Sequence, residues 1–153
     1  MNKKSMLYLS TAAFVITVLL VVIFSIPPKV ANPRLLTRAN MEAIAYFMSD
    51  YASTHNDTLP SLESGELLQS SLTDYHLNMA YFIDPASKRQ YTCNQHYSRA
   101  RLRDIRNRRD TALMYQSHAT QDGKRYVLFA TFDQREVTAA EWANIKIVSR
   151  IDH

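Results

Sequence analysis

The hydrophobic pattern of this chain changes period several times, and its first stretch has no polar period at all. From Met6 to Ile26 it reads "MLYLSTAAFVITVLLVVIFSI", without a charged residue or a proline. At about 1.5 Å of rise per residue, that run can cross the roughly 30 Å hydrocarbon core of a bilayer. It predicts a transmembrane helix over 6–26 behind a short tail over 1–5. A cleaved signal peptide is the competing reading. The run exceeds the roughly 7 to 15 apolar residues of a signal core, and "FSIPPKVANP" lacks an A-x-A-like cleavage site, which favours a retained anchor. Pro27, Pro28 and Pro33 then make 27–33 a stiff spacer that cannot continue the helix.

From Arg34 the period becomes helical. Met41, Ile44, Ala45, Met48 and Ala52 form one apolar stripe, with Glu42, Ser49, Asp50 and Ser53 on the other side. "THNDTLP" ends this helix, because Asn56 and Asp57 favour turns and Pro60 pushes its predecessor out of the helical region. A short helix is expected from Ser61 or Ser64 to about Leu72, packing through Leu62, Leu67 and Leu68. "YHLNMAYFIDPASKRQYTCN" has a turn at "DPAS" with extended stretches on each side.

Two apolar runs, Thr111 to Gln116 and Tyr126 to Phe132, read as an antiparallel pair joined by a polar segment containing Asp122 and Gly123. Thr138 and Glu141 have capping-box spacing for a short helix carrying Trp142. The alternation in "NIKIVSRI" predicts a last edge strand. Together these elements predict one α+β domain over 34–153, with a long amphipathic helix packed on a small antiparallel sheet.

Charge adds little to this picture. The net charge of the 153 residues is +4, and Lys3 and Lys4, ahead of the apolar run, supply two of those charges. That is a weak footprint for a nucleic-acid partner. Lys29, Arg34 and Arg38 balance Lys3 and Lys4 across the run, so the positive-inside count does not decide orientation. With Cys93 as the single cysteine, no intramolecular disulfide can form, and the residue reads as a small buried hydrophobe.

Converging chemistry is sparse. His55, His76, His96, His118 and His153 form no H-E-x-x-H pair, and Cys93 with His96 supplies two ligands where zinc needs more. Gly65 and Gly123 are the only glycines, which excludes a phosphate-cradling loop. No G-x-S-x-G elbow occurs. Asp122 and Asp133 are too far apart to argue for calcium. The expectation is a protein that is not an enzyme, with no cofactor and no metal.

The one unusual composition is "SRARLRDIRNRRD", with Arg99, Arg101, Arg103, Arg106, Arg108 and Arg109. Six guanidinium groups could contact a protein partner, or the phosphates of nucleic acid or anionic lipid. The plainer reading is a solvated face, with Leu102 and Ile105 pointing inward. Tyr46, opposite the apolar stripe of the long helix, is expected to be exposed.

"ANMEAIAYFMSDYASTHNDTLPSLE" resembles a stretch of pseudopilin-like proteins related to the type II secretion major pseudopilin. Asn40, Ile44, Phe47, Tyr51, Asn56 and Pro60 match the family's asparagine, helix and turn pattern. "RLRDIRNRRDTALMYQ" followed by "DGKRYVLFATFDQREVTAAEW" is similar to the family's C-terminal strand, loop, strand and short helix. Three departures stand out. The prepilin peptidase signature of glycine, Phe-Thr and glutamate is missing, Pro27 and Pro28 interrupt the rod, and the D-G-H turn is replaced by Thr131, Phe132 and Asp133.

The resemblance implies a pilin-like domain on a permanent anchor in a bacterial inner membrane, with its globular part on the periplasmic side. Its expected work is through contacts with other membrane or envelope proteins, or with a second copy of itself, in a secretion-like assembly. The alternative expectation is a membrane-tethered binder of nucleic acid or anionic lipid.

Overall fold

A computed structural model describes residues 32–151. The tail over 1–5, the apolar run over 6–26 and the spacer up to Ala31 lie outside the described residues. No helix among the described residues is long and apolar enough to cross a membrane.

Helix α1 runs Pro33–Thr54. Asn32 caps it by accepting a hydrogen bond from the Arg34 backbone N–H at 3.0 Å. Pro33 opens the helix instead of closing the spacer, a position where its missing N–H costs nothing. The expected stripe is the buried one: Met41, Ile44, Ala45, Met48 and Ala52 all face the core, joined by Thr37. The helix ends in two successive left-handed residues, Asn56 (φ 54°) and Asp57 (φ 57°). The Asp57 N–H turns back onto the Ala52 carbonyl at 2.9 Å. Asparagine and aspartate tolerate this conformation better than other side chains.

Helix α2, Gly65–Ser71, is capped by Ser64, whose hydroxyl accepts from the Leu67 N–H at 3.2 Å. Four strands follow in one antiparallel sheet, ordered as in sequence: β1 Thr92–Cys93, β2 Ala112–Tyr115, β3 Arg125–Phe129 and β4 Gln134–Val137. Of the stretches read as extended on either side of "DPAS", the later one gives strand β1, whereas the earlier one holds a 3₁₀ helix over Met79–Phe82 capped by Asn78, and an Ile83–Gln90 bridge flanks the turn. Strand β3 is shorter than expected. It stops at Phe129, and a tight turn held by Phe132 N–H to Phe129 O at 2.8 Å reverses the chain. Phe132 itself takes the left-handed conformation, φ 63°.

Helix α3, Ala139–Val148, begins with the expected capping box between Thr138 and Glu141. It also corrects the expectation for "NIKIVSRI", which is not an edge strand. Once the box has started the helix, Ile145 faces the core one turn after Trp142, and the last position of the sheet is taken by β4.

The sheet is covered on both faces. Leu128 and Ala130 pack with Met41, Ile44 and Met48 of α1, while Val127 and Phe129 pack with Trp142 and Ile145 of α3. The alternation along β3 therefore divides two apolar layers. A bulge between Ala112 and Met114 lets β2 bury Ala112 with the α3 layer and both Leu113 and Met114 with the α1 layer.

Candidate functional site

The six arginines lie on a segment with a fixed backbone. Leu59 donates to the Ala100 carbonyl at 2.8 Å, Arg99 to the Pro60 carbonyl at 3.2 Å, and Leu102 to the Asp57 carbonyl at 2.8 Å. Thr58 and Arg101 form an antiparallel bridge. The turn that ends α1 is thus the rail on which the arginine segment is mounted. Its left-handed pair, Asn56 and Asp57, aims the Asp57 and Pro60 carbonyls at that segment.

Leu102 and Ile105 anchor the segment from inside, at 7% and 5% exposure. Arg99, Arg101, Arg103, Arg106, Arg108 and Arg109 are all exposed. Among the described residues, the ion pairs are made by other arginines: Arg34 with Asp122 and Glu136, and Arg135 with Asp110. The six exposed side chains therefore make no ion pair with a carboxylate among the described residues. The expected division of the segment, apolar residues inward and arginines outward, is what the structure displays.

A second feature carries no motif in the sequence. Asp84, the aspartate of "DPAS", is almost fully buried at 3% exposure. It lies at a cleft of about 560 Å³ bounded by the start of α1, the 84–87 turn and the 116–122 loop. Its carboxylate accepts from the Thr37 hydroxyl at 2.7 Å, the Ser87 hydroxyl at 2.7 Å and the Ser87 N–H at 3.0 Å. Burial alone would raise its pKa, but the bonds from Ser87 and Thr37 outweigh that and hold it below the usual carboxylate range.

On the same cleft, Asp122 is held down to about 2 by a hydrogen bond from Thr120 and by the Arg34 guanidinium. His118 receives Arg89 Nη1 at 2.8 Å. Both carboxylates are thus engaged by donors of their own chain, so neither is poised to take a proton from a substrate. What gave Asp84 away in sequence was only its turn; its partner Thr37 is far off in the chain and was legible merely as a helix position.

Cys93 packs against the α1 layer, and burial pushes its thiol up to about 12, which keeps it protonated and unreactive. No group of three or more His, Cys, Asp or Glu side chains able to hold a metal occurs among the described residues. Tyr46 stands out from α1 at 67% exposure, its ring edge-on to Phe47 at 5.2 Å. It lines a shallow cleft with Phe132 and Asp133.

No family model, no curated protein and no solved structure matches this chain.

Proposed function

We propose that the chain is a non-enzymatic, single-pass membrane protein whose pilin-like domain acts through protein–protein contacts. In this reading 6–26 is the anchor, and the domain stands on the periplasmic side of a bacterial inner membrane. There it serves as an accessory or scaffolding component of an envelope or secretion-like assembly. The observation that carries the reading is the arginine segment, whose six exposed arginines sit on a backbone fixed to 57–60 and have no carboxylate ion-pair partner among the described residues. Arginine is favoured at protein interfaces because its planar fork binds carboxylates and carbonyls with little loss of freedom. The pilin-like part is supported by a long helix laid on an antiparallel sheet and by Phe132, which is left-handed where the resembled pattern carries glycine.

A photo-crosslinking side chain placed at Arg103 or Arg108 of the full chain in native membranes tests this. Crosslinks to envelope proteins are the expected result. Crosslinks to lipid or nucleic acid alone would sink it.

The same six groups favour a second reading, a membrane-tethered binder of nucleic acid or anionic lipid. Binding to a duplex through all six would show a salt dependence of log K near about −5 per log unit. A flat salt dependence would discard it.

A further inference from the structure

At the arginine segment, two neighbouring stretches meet the distant C-terminal end of α3 around a cleft of about 470 Å³. One wall is the 3₁₀ turn Gln95–Tyr97, another the segment 104–107, and the third the end of α3 with Arg150. Arg106, a member of the exposed six, lines this cleft together with Arg150 and His96.

The walls are built rigidly. Asn94 caps the 3₁₀ turn by accepting from the His96 N–H at 3.2 Å, and the same side chain donates to the Ser149 carbonyl at 2.8 Å. One buried amide therefore ties two walls together. The third is held where Thr111 donates its N–H and its hydroxyl to the Asn107 carbonyl, at 3.0 and 2.8 Å. Arg150, left-handed at φ 53°, places its Nη1 3.1 Å from His96 Nε2. A guanidinium can only donate, so in this contact the ring nitrogen is the acceptor.

The lining has a mixed chemistry. Arg106 and Arg150 supply cationic donors, Asp104 supplies a carboxylate acceptor, and Asn107 supplies an amide. Val148 adds an apolar side chain at 36% exposure, next to Ile147 at 78%.

We propose that this cleft binds an acidic peptide segment of a partner protein. A carboxylate of that segment sits between Arg106 and Arg150, and an adjacent apolar side chain lies against Val148. The proposal rests on the protein-contact reading above and names the chemistry of the partner.

Charge complementarity selects the occupant. Two guanidinium groups against one carboxylate leave the cleft net positive, which calls for an anion. A peptide brings backbone N–H donors for Asp104 and Asn107 as well as acceptors for the arginines. Stacked bases lack a platform, since the rings of His96 and Tyr97 meet edge to face at 4.9 Å and Tyr97 packs on the core. The exposed Ile147 and Val148 suit a chain that carries apolar residues between its acids.

The test uses the full chain in neutral detergent and a fluorescein-labelled octapeptide alternating glutamate and leucine, with a lysine–leucine octapeptide as control. Saturable binding of the acidic peptide alone is expected, weakened about tenfold or more in R106A/R150A. Both arginines are exposed, and an unchanged melting curve shows that the variant is folded. No binding, or equal binding by the folded variant, overturns the proposal. So does a variant-sensitive affinity for single-stranded DNA or phosphatidylglycerol vesicles that exceeds the affinity for the peptide. Crosslinks from Arg103 to envelope proteins that persist in R106A/R150A, without peptide binding, overturn the cleft while the broader reading stands. Absence of both overturns the two together.

Discussion

The side-chain amide of Asn94 donates to the carbonyl of Ser149 at 2.8 Å, linking the sheet's first edge to the end of its last helix. The same nitrogen donates to the Ala112 carbonyl at 2.9 Å, and Asn94 is only 5% exposed. Ser149 completes the junction by accepting from the Ala112 N–H and donating to the Asp110 carbonyl. Replacing Asn94 with alanine removes a side-chain donor from two buried residues' carbonyls, at about 1 to 3 kcal/mol for each group left unsatisfied. The expected result is a loss of about 2 to 6 kcal/mol in denaturant unfolding of the full chain in neutral detergent. A change below about 0.5 kcal/mol would mean that water replaces the amide and that the junction is soft.

Asp84 gives the domain a pH dependence of known sign. Its folded pKa lies below the ordinary aspartate value, so between the two values the unfolded chain binds more protons. The stability it contributes is fully present above the unfolded value, and it is lost as pH falls through the folded one. Asp84→Asn removes the charge from the bonds to Thr37 and Ser87, and a loss of about 1 to 3 kcal/mol at neutral pH is expected. Below the folded pKa the variant and the parent should converge. Parallel stability curves across the whole acid range would show that Asp84 does not titrate with folding.

Helix α3 depends on its first residue. The Thr138 hydroxyl accepts from the Glu141 N–H at 3.3 Å, and the Glu141 carboxylate accepts from the Thr138 N–H at 2.7 Å. Thr138→Ala should cost about 1 kcal/mol, whereas Thr138→Ser should cost little. Hydrogen exchange in the first turn of α3 is the sensitive readout, because the capped amides should exchange faster in the alanine variant. Unchanged exchange there would assign the helix start to packing of Trp142 instead.

Much of this fold was legible where a local period met a local stop signal. The stripe of α1 and the apolar runs of β2 and β3 each carry their burial in their own spacing. Strand β4, "QREV", does not: apart from Val137 its residues are not buried, and it is a strand because it pairs with β3 from Leu128 to Arg125. "NIKIVSRI" misled because alternation over a few residues fits either period, and Ile147, which suggested a strand face, is left exposed. The arginines announced themselves by composition. Arg150 and His96 came to line one cleft with Arg106 only through tertiary packing that no spacing encodes.

The arginine segment finally allows a sharp contrast between adjacent positions. Leu102 is 7% exposed and belongs to the α1 layer, whereas Arg103 is exposed and lacks an ion-pair partner among the described residues. Truncating a buried leucine costs about 2 to 5 kcal/mol through lost burial and the cavity left behind. Exposed substitutions away from special features stay within about 0.5 kcal/mol. Leu102→Ala should therefore lower the melting temperature strongly, while Arg103→Ala should leave it unchanged and weaken crosslinking from Arg108 to partner proteins. If Arg103→Ala destabilised the domain as much as Leu102→Ala, the arginines would be structural, and the interaction surface built on them would fall.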